Sequence, residues 1–201
     1  MINAKSFATI CIAIFMVAIG CSSKKTPALT DEQEISKTIK LYGRFINTED
    51  YDKLANLIHP EAFKDISRKQ LSQGMLDASH TNQWDMFFDS IISFHEISPV
   101  INNNSNKYVL IASRSKATII LKKNMDSLDY IFPAYCNAFK KEFGDTNLIC
   151  DATKRQFVGN TYDTTYMIYE KKYKKWFLLN ATDPESVSRI IPADVLKQLK
   201  Q

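Results

Sequence analysis

The stretch from Tyr108 to Leu121 constrains the fold more than any other part of the chain. Val109, Ile111, Ser113, Ser115, Ala117, Ile119 and Leu121 alternate with Leu110, Ala112, Arg114, Lys116 and Thr118. That period of two belongs to a long strand, and a strand of this length is stable only with neighbours along it. The expected neighbours are Phe88 to Ile97 before it and the pair Thr164–Lys171 and Lys175–Thr182 after it, the last two joined by a tight basic turn. In Phe88–Ile97, Ile92 and Phe94 share one face, and Ile91, Ser93, His95 and Ile97 share the other. The asparagine-rich segment Pro99–Asn106 reads as a hairpin loop. The segment from Asp126 to Asn160 is less regular, except that Pro133–Phe143 can form a helix stopped by Gly144.

Helices precede the sheet. Thr30-Asp31-Glu32-Gln33 is a capping box with acids in the first turn, and Ile35, Ile39, Tyr42 and Ile46 follow at helical spacing. Thr48 reads as a second cap ahead of the stripe Tyr51, Leu54, Leu57 and Ile58. His59-Pro60 should end that helix, because the residue before proline is pushed out of helical geometry. Ser67-Arg68-Lys69-Gln70 is another capping box, opening a helix to about Ala78. A short C-terminal helix is expected over Ala193–Gln201, with Pro192 near its first turn. The fold class expected is therefore α+β: two to three N-terminal helices packed on a curved antiparallel sheet, with a helical insertion and a short C-terminal helix.

The N-terminus carries a different signal. Lys5 precedes an apolar run from Phe7 to Ile19, too short for a hydrocarbon core that needs about 20 residues. A charged start, a short apolar stretch and small residues at its end make a secretory signal rather than a spanning helix. Val17-Ala18-Ile19-Gly20-Cys21 resembles the lipobox of bacterial lipoproteins, whose cysteine is lipidated and becomes the first residue after cleavage. The resemblance implies residues 1–20 as signal peptide, lipid (palmitate among its acyl groups) on Cys21, and residues 21–29 as a tether, leaving 30–201 as one domain. Ser22 after the cysteine implies the outer membrane, facing the periplasm. Acyl chains contribute about 0.8 kcal/mol per buried CH2, so two or three hold a protein firmly.

That address bears on the remaining cysteines. Cys11 leaves with the signal, so Cys136 and Cys150 remain, and an oxidising compartment makes a disulfide their default, against two free thiols. No histidine lies beside them to complete a metal site. Without Lys5, 25 basic residues face 22 acidic ones, or +3. Such a mild excess argues against a dedicated nucleic-acid binder.

Two stretches resemble the NTF2-like (cystatin-like α+β cone) superfamily. These are Glu49-Asp50-Tyr51-Asp52-Lys53-Leu54 through Leu57-Ile58-His59-Pro60-Glu61-Ala62-Phe63, and Lys174-Lys175-Trp176-Phe177-Leu178. The resemblance covers residues 30–201 apart from about 124–160, an elaboration. It implies a cone with an interior, pairing of two copies through the sheet, and functions from isomerase to binding module, so fold alone does not choose.

Tyr42, Phe94, His95 and Tyr108 are the expected lining of a ligand cavity. A His95 or Asp89 base opposite Tyr42 would suit isomerase-like chemistry, but His95 and Glu96 are adjacent in a strand and cannot act as a local pair. His59 is better explained by helix termination, and His80 by a polar loop. Three scattered histidines make no metal motif, and neither a nucleophile elbow nor a glycine-rich phosphate loop is present. Lys171-Lys172-Tyr173-Lys174-Lys175 is the densest charge, readable as a solvated hairpin turn or as a contact for anionic head groups. The expectation is a non-enzymatic, membrane-anchored envelope protein without cofactor or metal, binding a small apolar ligand or a protein partner. A small isomerase or dehydratase is the alternative.

Overall fold

A computed structural model describes residues 29–122, 128–144 and 147–201, with residues 90–92, 128–130 and 142 described by backbone alone. Residues 1–28, which hold the expected signal peptide, Cys21 and most of the tether, lie outside the described residues. Among the described residues no helix is long and apolar enough to cross a membrane.

Two long strands form the spine: β3 (Asn106–Leu121) and β5 (Gln156–Glu170) pair antiparallel along most of their length. Shorter strands complete each outer edge. β1 (Trp84–Glu96) and β2 (Ile101–Asn103) lie along β3, and β4 (Leu148–Asp151) and β6 (Lys175–Asn180) lie along β5. The result is an open antiparallel sheet of six strands among the described residues. Asn104 and Ser105, both at positive φ (47° and 72°), make the two-residue turn between β2 and β3, and asparagine is among the residues that tolerate this geometry best. The expected loop over Pro99–Asn106 is thus partly strand.

The alternation in β3 divides the sheet into two faces. On the outer face, Tyr108, Leu110, Tyr166, Ile168 and Leu179 are buried under α5 (Pro184–Ile190) and α6 (Ala193–Leu199). The expected C-terminal helix is α6, and α5 is an additional helix before it. Asp183 caps α5 by accepting from the Ser186 N–H, and Pro184 sits at its start, where the missing N–H is harmless. On the inner face, α1 (Asp31–Asn47) lays Ile35 and Ile39 on Val109, Ile111, Met167, Trp176 and Leu178. The Trp176 indole N–H donates to Glu34 at 3.1 Å, so the largest buried ring also finds its polar partner.

The connections correct two expectations and bear out a third. Thr48 does not cap α2 (Tyr51–Ala55). Its hydroxyl donates back to the Arg44 carbonyl at 2.9 Å, and Asp50 is the cap, accepting from the Lys53 N–H. His59 does not satisfy the last carbonyls. It starts a short 3-10 turn, Pro60–Phe63, accepting from the Glu61 N–H through Nδ1, while its own N–H pairs with the Leu178 carbonyl at 2.9 Å. Leu178 N–H in turn donates to Leu57, so this segment covers part of the open edge of β6. The capping box at Ser67 is present, with both of its hydrogen bonds, at the start of α3 (Arg68–Ser79).

The elaboration is more regular than its sequence. α4 runs Leu128–Phe143, with Pro133 inside it. A proline there has no N–H for the helix ladder, but Phe132, Cys136, Phe139 and Phe143 bury one face against Ile119, Leu121, Leu148 and Phe157. Gly144, at φ +86°, ends the helix as expected. A Cβ on Gly159 would stand 2.6 Å from the Phe143 ring, so only glycine in β5 lets the helix end approach this closely. Cys136 and Cys150 are bonded, which ties α4 to β4.

Candidate functional site

The inner face of the sheet is covered at both ends and not in the middle. α1 packs on one end and α4 on the other. Between them β3 and β5 bring together Ser113 with Asp163, Ser115 with Thr161, and Ala117 with Gly159. Each of these pairs is small or polar where a core would place large apolar groups. The space left is a cavity of about 340 Å³, within the range of small-molecule sites. Its apolar walls are Ile46, Met75, Phe88 and Leu178, and its polar ones Tyr42, Ser115, Thr161, Asp163, Thr165 and Asn180.

The polar groups face the cavity rather than each other. Neither the Tyr42 hydroxyl, the Asp163 carboxylate nor the hydroxyls of Ser115, Thr161 and Thr165 has a hydrogen-bond or ion-pair partner among the described residues. Burial pushes the Tyr42 phenol up to about 12, and the negative Asp163 adds to the rise. Tyr42 is therefore a neutral donor throughout the physiological range. Asp163 stands exposed at the mouth. Asn47, at the end of α1, donates its side-chain N–H to the Asp89 carbonyl of β1 and so holds the roof to the sheet edge.

Of the residues expected around such a cavity, Tyr42 lines it. Phe94 packs partly buried against the cluster under α1, and His95 is exposed. Tyr108 is buried on the opposite face of the sheet, beside Leu110. Asp89 is drawn away into an ion pair with Lys116 at 3.1 Å, which leaves no base at that position inside. Thr161 and Asp163 lie ahead of the expected strand start at Thr164, because β5 begins at Gln156; Thr165 lies inside the expected strand, but a lone threonine there carries no signal of a cavity. The strict alternation Gly159, Thr161, Asp163, Thr165, Met167 was the available signal.

The other charged features have structural explanations. In the basic turn, Lys175 donates to the Asn56 carbonyl at 2.8 Å, and Lys171, Lys172 and Lys174 are exposed. A second, shallower hollow lies between α2 and α3, lined by Glu49, Asp50 and Ser72. Among the described residues no group of histidine, cysteine and acidic side chains is arranged to hold a metal ion. His80 gives Nδ1 to Asp85 and Nε2 to Glu49, each at 2.9 Å, which ties the end of α3 to β1 and to the α1–α2 turn.

The two histidines with partners titrate in opposite senses. Hydrogen bonds to Asp85 and then Glu49 raise His80, whereas burial lowers His59 despite its contact with Glu170. A raised folded value stabilises the fold below the unfolded pKa of about 6.5 and is lost as pH rises through that folded value. A lowered one costs stability as pH falls below about 6.5, because the unfolded chain takes up the proton first. His80→Gln is expected to lower the urea midpoint at about pH 5.5 and to leave it nearly unchanged at about pH 9. An equal loss at both values would mean that the two carboxylates do not act on a charged imidazole.

No protein-family model and no curated protein matches this chain.

Proposed function

We propose that this chain is a lipid-anchored protein of the bacterial cell envelope whose NTF2-like domain binds a small, mainly apolar ligand in the cavity under α1. One observation carries the binding reading: five polar side chains without internal partners converge on one cavity whose other walls are apolar. Polar groups left without protein partners bond to water or to a ligand instead, so a lining of this kind suits a small molecule that brings its own donors or acceptors. The α+β order, with helices leading into an open antiparallel sheet, supports the superfamily reading. The lipobox-like segment before Cys21 supports the anchor, and the Cys136–Cys150 bond suits an oxidising compartment.

A specific observation also favours the enzymatic reading. A carboxylate acceptor and a neutral phenol donor share the cavity, as in proton-transfer isomerases of this superfamily. Asp163 stands exposed at the mouth rather than enclosed, so binding ranks above catalysis.

Native mass spectrometry of the full chain, extracted in detergent from the envelope of an expressing bacterium, tests both parts. The expected mass lacks residues 1–20, carries acyl groups, and includes a small molecule that Ser115→Leu displaces by filling the cavity. Protein without acyl mass overturns the anchor. An adduct that survives Ser115→Leu overturns the cavity as its place.

A further inference from the structure

The cavity's charge inventory narrows the ligand class. Among the described residues, its lining contains one formal charge, the Asp163 carboxylate, and no lysine, arginine or histidine. The nearest cations along the strands are engaged elsewhere. Arg114 lies 5.7 Å from the ring of Tyr162, its cross-strand partner, which like Arg114 points to the outer face, and Lys116 pairs with Asp89. Hydroxyls can donate or accept, so Ser115, Thr161 and Thr165 accept an N–H as readily as they donate to an oxygen. The carboxylate can only accept and only attracts cations. Two aromatic rings, Tyr42 and Phe88, add π-surface to the walls, and ring faces attract ammonium groups.

We infer that the cavity selects a small organic cation: a protonated amine set at Asp163, with a compact apolar body against Ile46, Met75, Phe88 and Leu178. This rests on the binding reading above and adds the sign of the ligand's charge to it. Fatty acids and other carboxylates are disfavoured, because they would bring a second negative charge beside Asp163. Exposed ion pairs are weak, so the preference is one of modest factors and not an absolute gate.

Three probes with one apolar body separate charge from shape: 4-phenylbutylamine, 4-phenylbutanol and 4-phenylbutyrate, titrated by NMR into the isotopically labelled protein at neutral pH. The amine should bind about fivefold more tightly than the alcohol and tenfold or more tightly than the acid. Shifts should centre on Tyr42, Thr161 and Asp163. Asp163→Asn should remove the amine's advantage over the alcohol, with circular dichroism reporting that the variant folds. Equal affinity for all three, tightest binding of the acid, or an amine advantage that persists in Asp163→Asn each overturns the cation proposal while leaving a binding cavity. Absence of binding by all three overturns both readings.

Discussion

Replacing Phe157 by alanine is expected to lower stability by about 3 to 5 kcal/mol, the range for emptying a fully enclosed aromatic site. Phe157 is 0% exposed, and its ring stacks on Phe132 with centroids 4.6 Å apart and meets Phe139 at 5.0 Å. It pairs with Ile119 of β3 on one side and Cys150 of β4 on the other, so one side chain joins the two central strands, the edge strand and α4. The cluster can collapse only by moving α4, and the helix is held by its disulfide. Most of the void should therefore persist, and the loss should fall toward the upper end of the range. Ser115→Ala is the control. It lies on the same face, but its hydroxyl has no partner to lose, so its effect should stay within about 0.5 kcal/mol. Urea midpoints at unchanged slope check both variants. A Phe157→Ala loss below about 1 kcal/mol would mean that α4 does not pack on the sheet as described.

The contrast between these two positions explains how much of the molecule could be read beforehand. α1 was legible because an apolar stripe at helical spacing follows acids that suit a helix start. β3 was legible because its large apolar residues alternate. The cysteine pair needed no geometry, only the compartment. The first half of β5 was not legible: Asn160-Thr161-Tyr162-Asp163-Thr164 is polar on both faces, and a half-buried strand shows in a sequence through its apolar face. That face is polar because it lines the cavity, so the feature that makes the candidate site also hid the strand bearing it. Tyr108 shows a second limit. Alternation puts Tyr108 with Leu110 and opposite Val109, but it does not say which face the first helix covers. β1 shows a third. Register shifts between Phe88 and Ser90, and again between Ile91 and Ser93, are bulges, and each adds a residue that simple alternation does not count. Asp183-Pro184 is a helix-start signal in the sequence, but the helix it opens has only 7 residues, too few for an apolar stripe to show.

Replacing both Cys136 and Cys150 by serine is expected to lower stability by about 3 kcal/mol, and the melting temperature by roughly 6 to 12 °C. The bond closes a loop with a sequence separation of 14 residues, and its main effect in the chain-entropy model is on the unfolded chain, which loses freedom when the loop is closed. The folded state should also loosen in one place. β4 has only 4 residues, pairs with β5, and holds Ile149 at 69% exposure, so without the bond little else keeps it in place. Hydrogen exchange in α4 and β4 should therefore rise more than in α1, which is fixed by its own cluster. Dithiothreitol should reproduce the loss in the wild-type protein and leave the double serine variant unmoved. A wild-type midpoint indifferent to reductant would show that the bond adds nothing to the fold. Domains hold only about 5 to 15 kcal/mol in total, so a protein that gives up about 3 kcal/mol on reduction reaches its full stability only where the bond can form and persist.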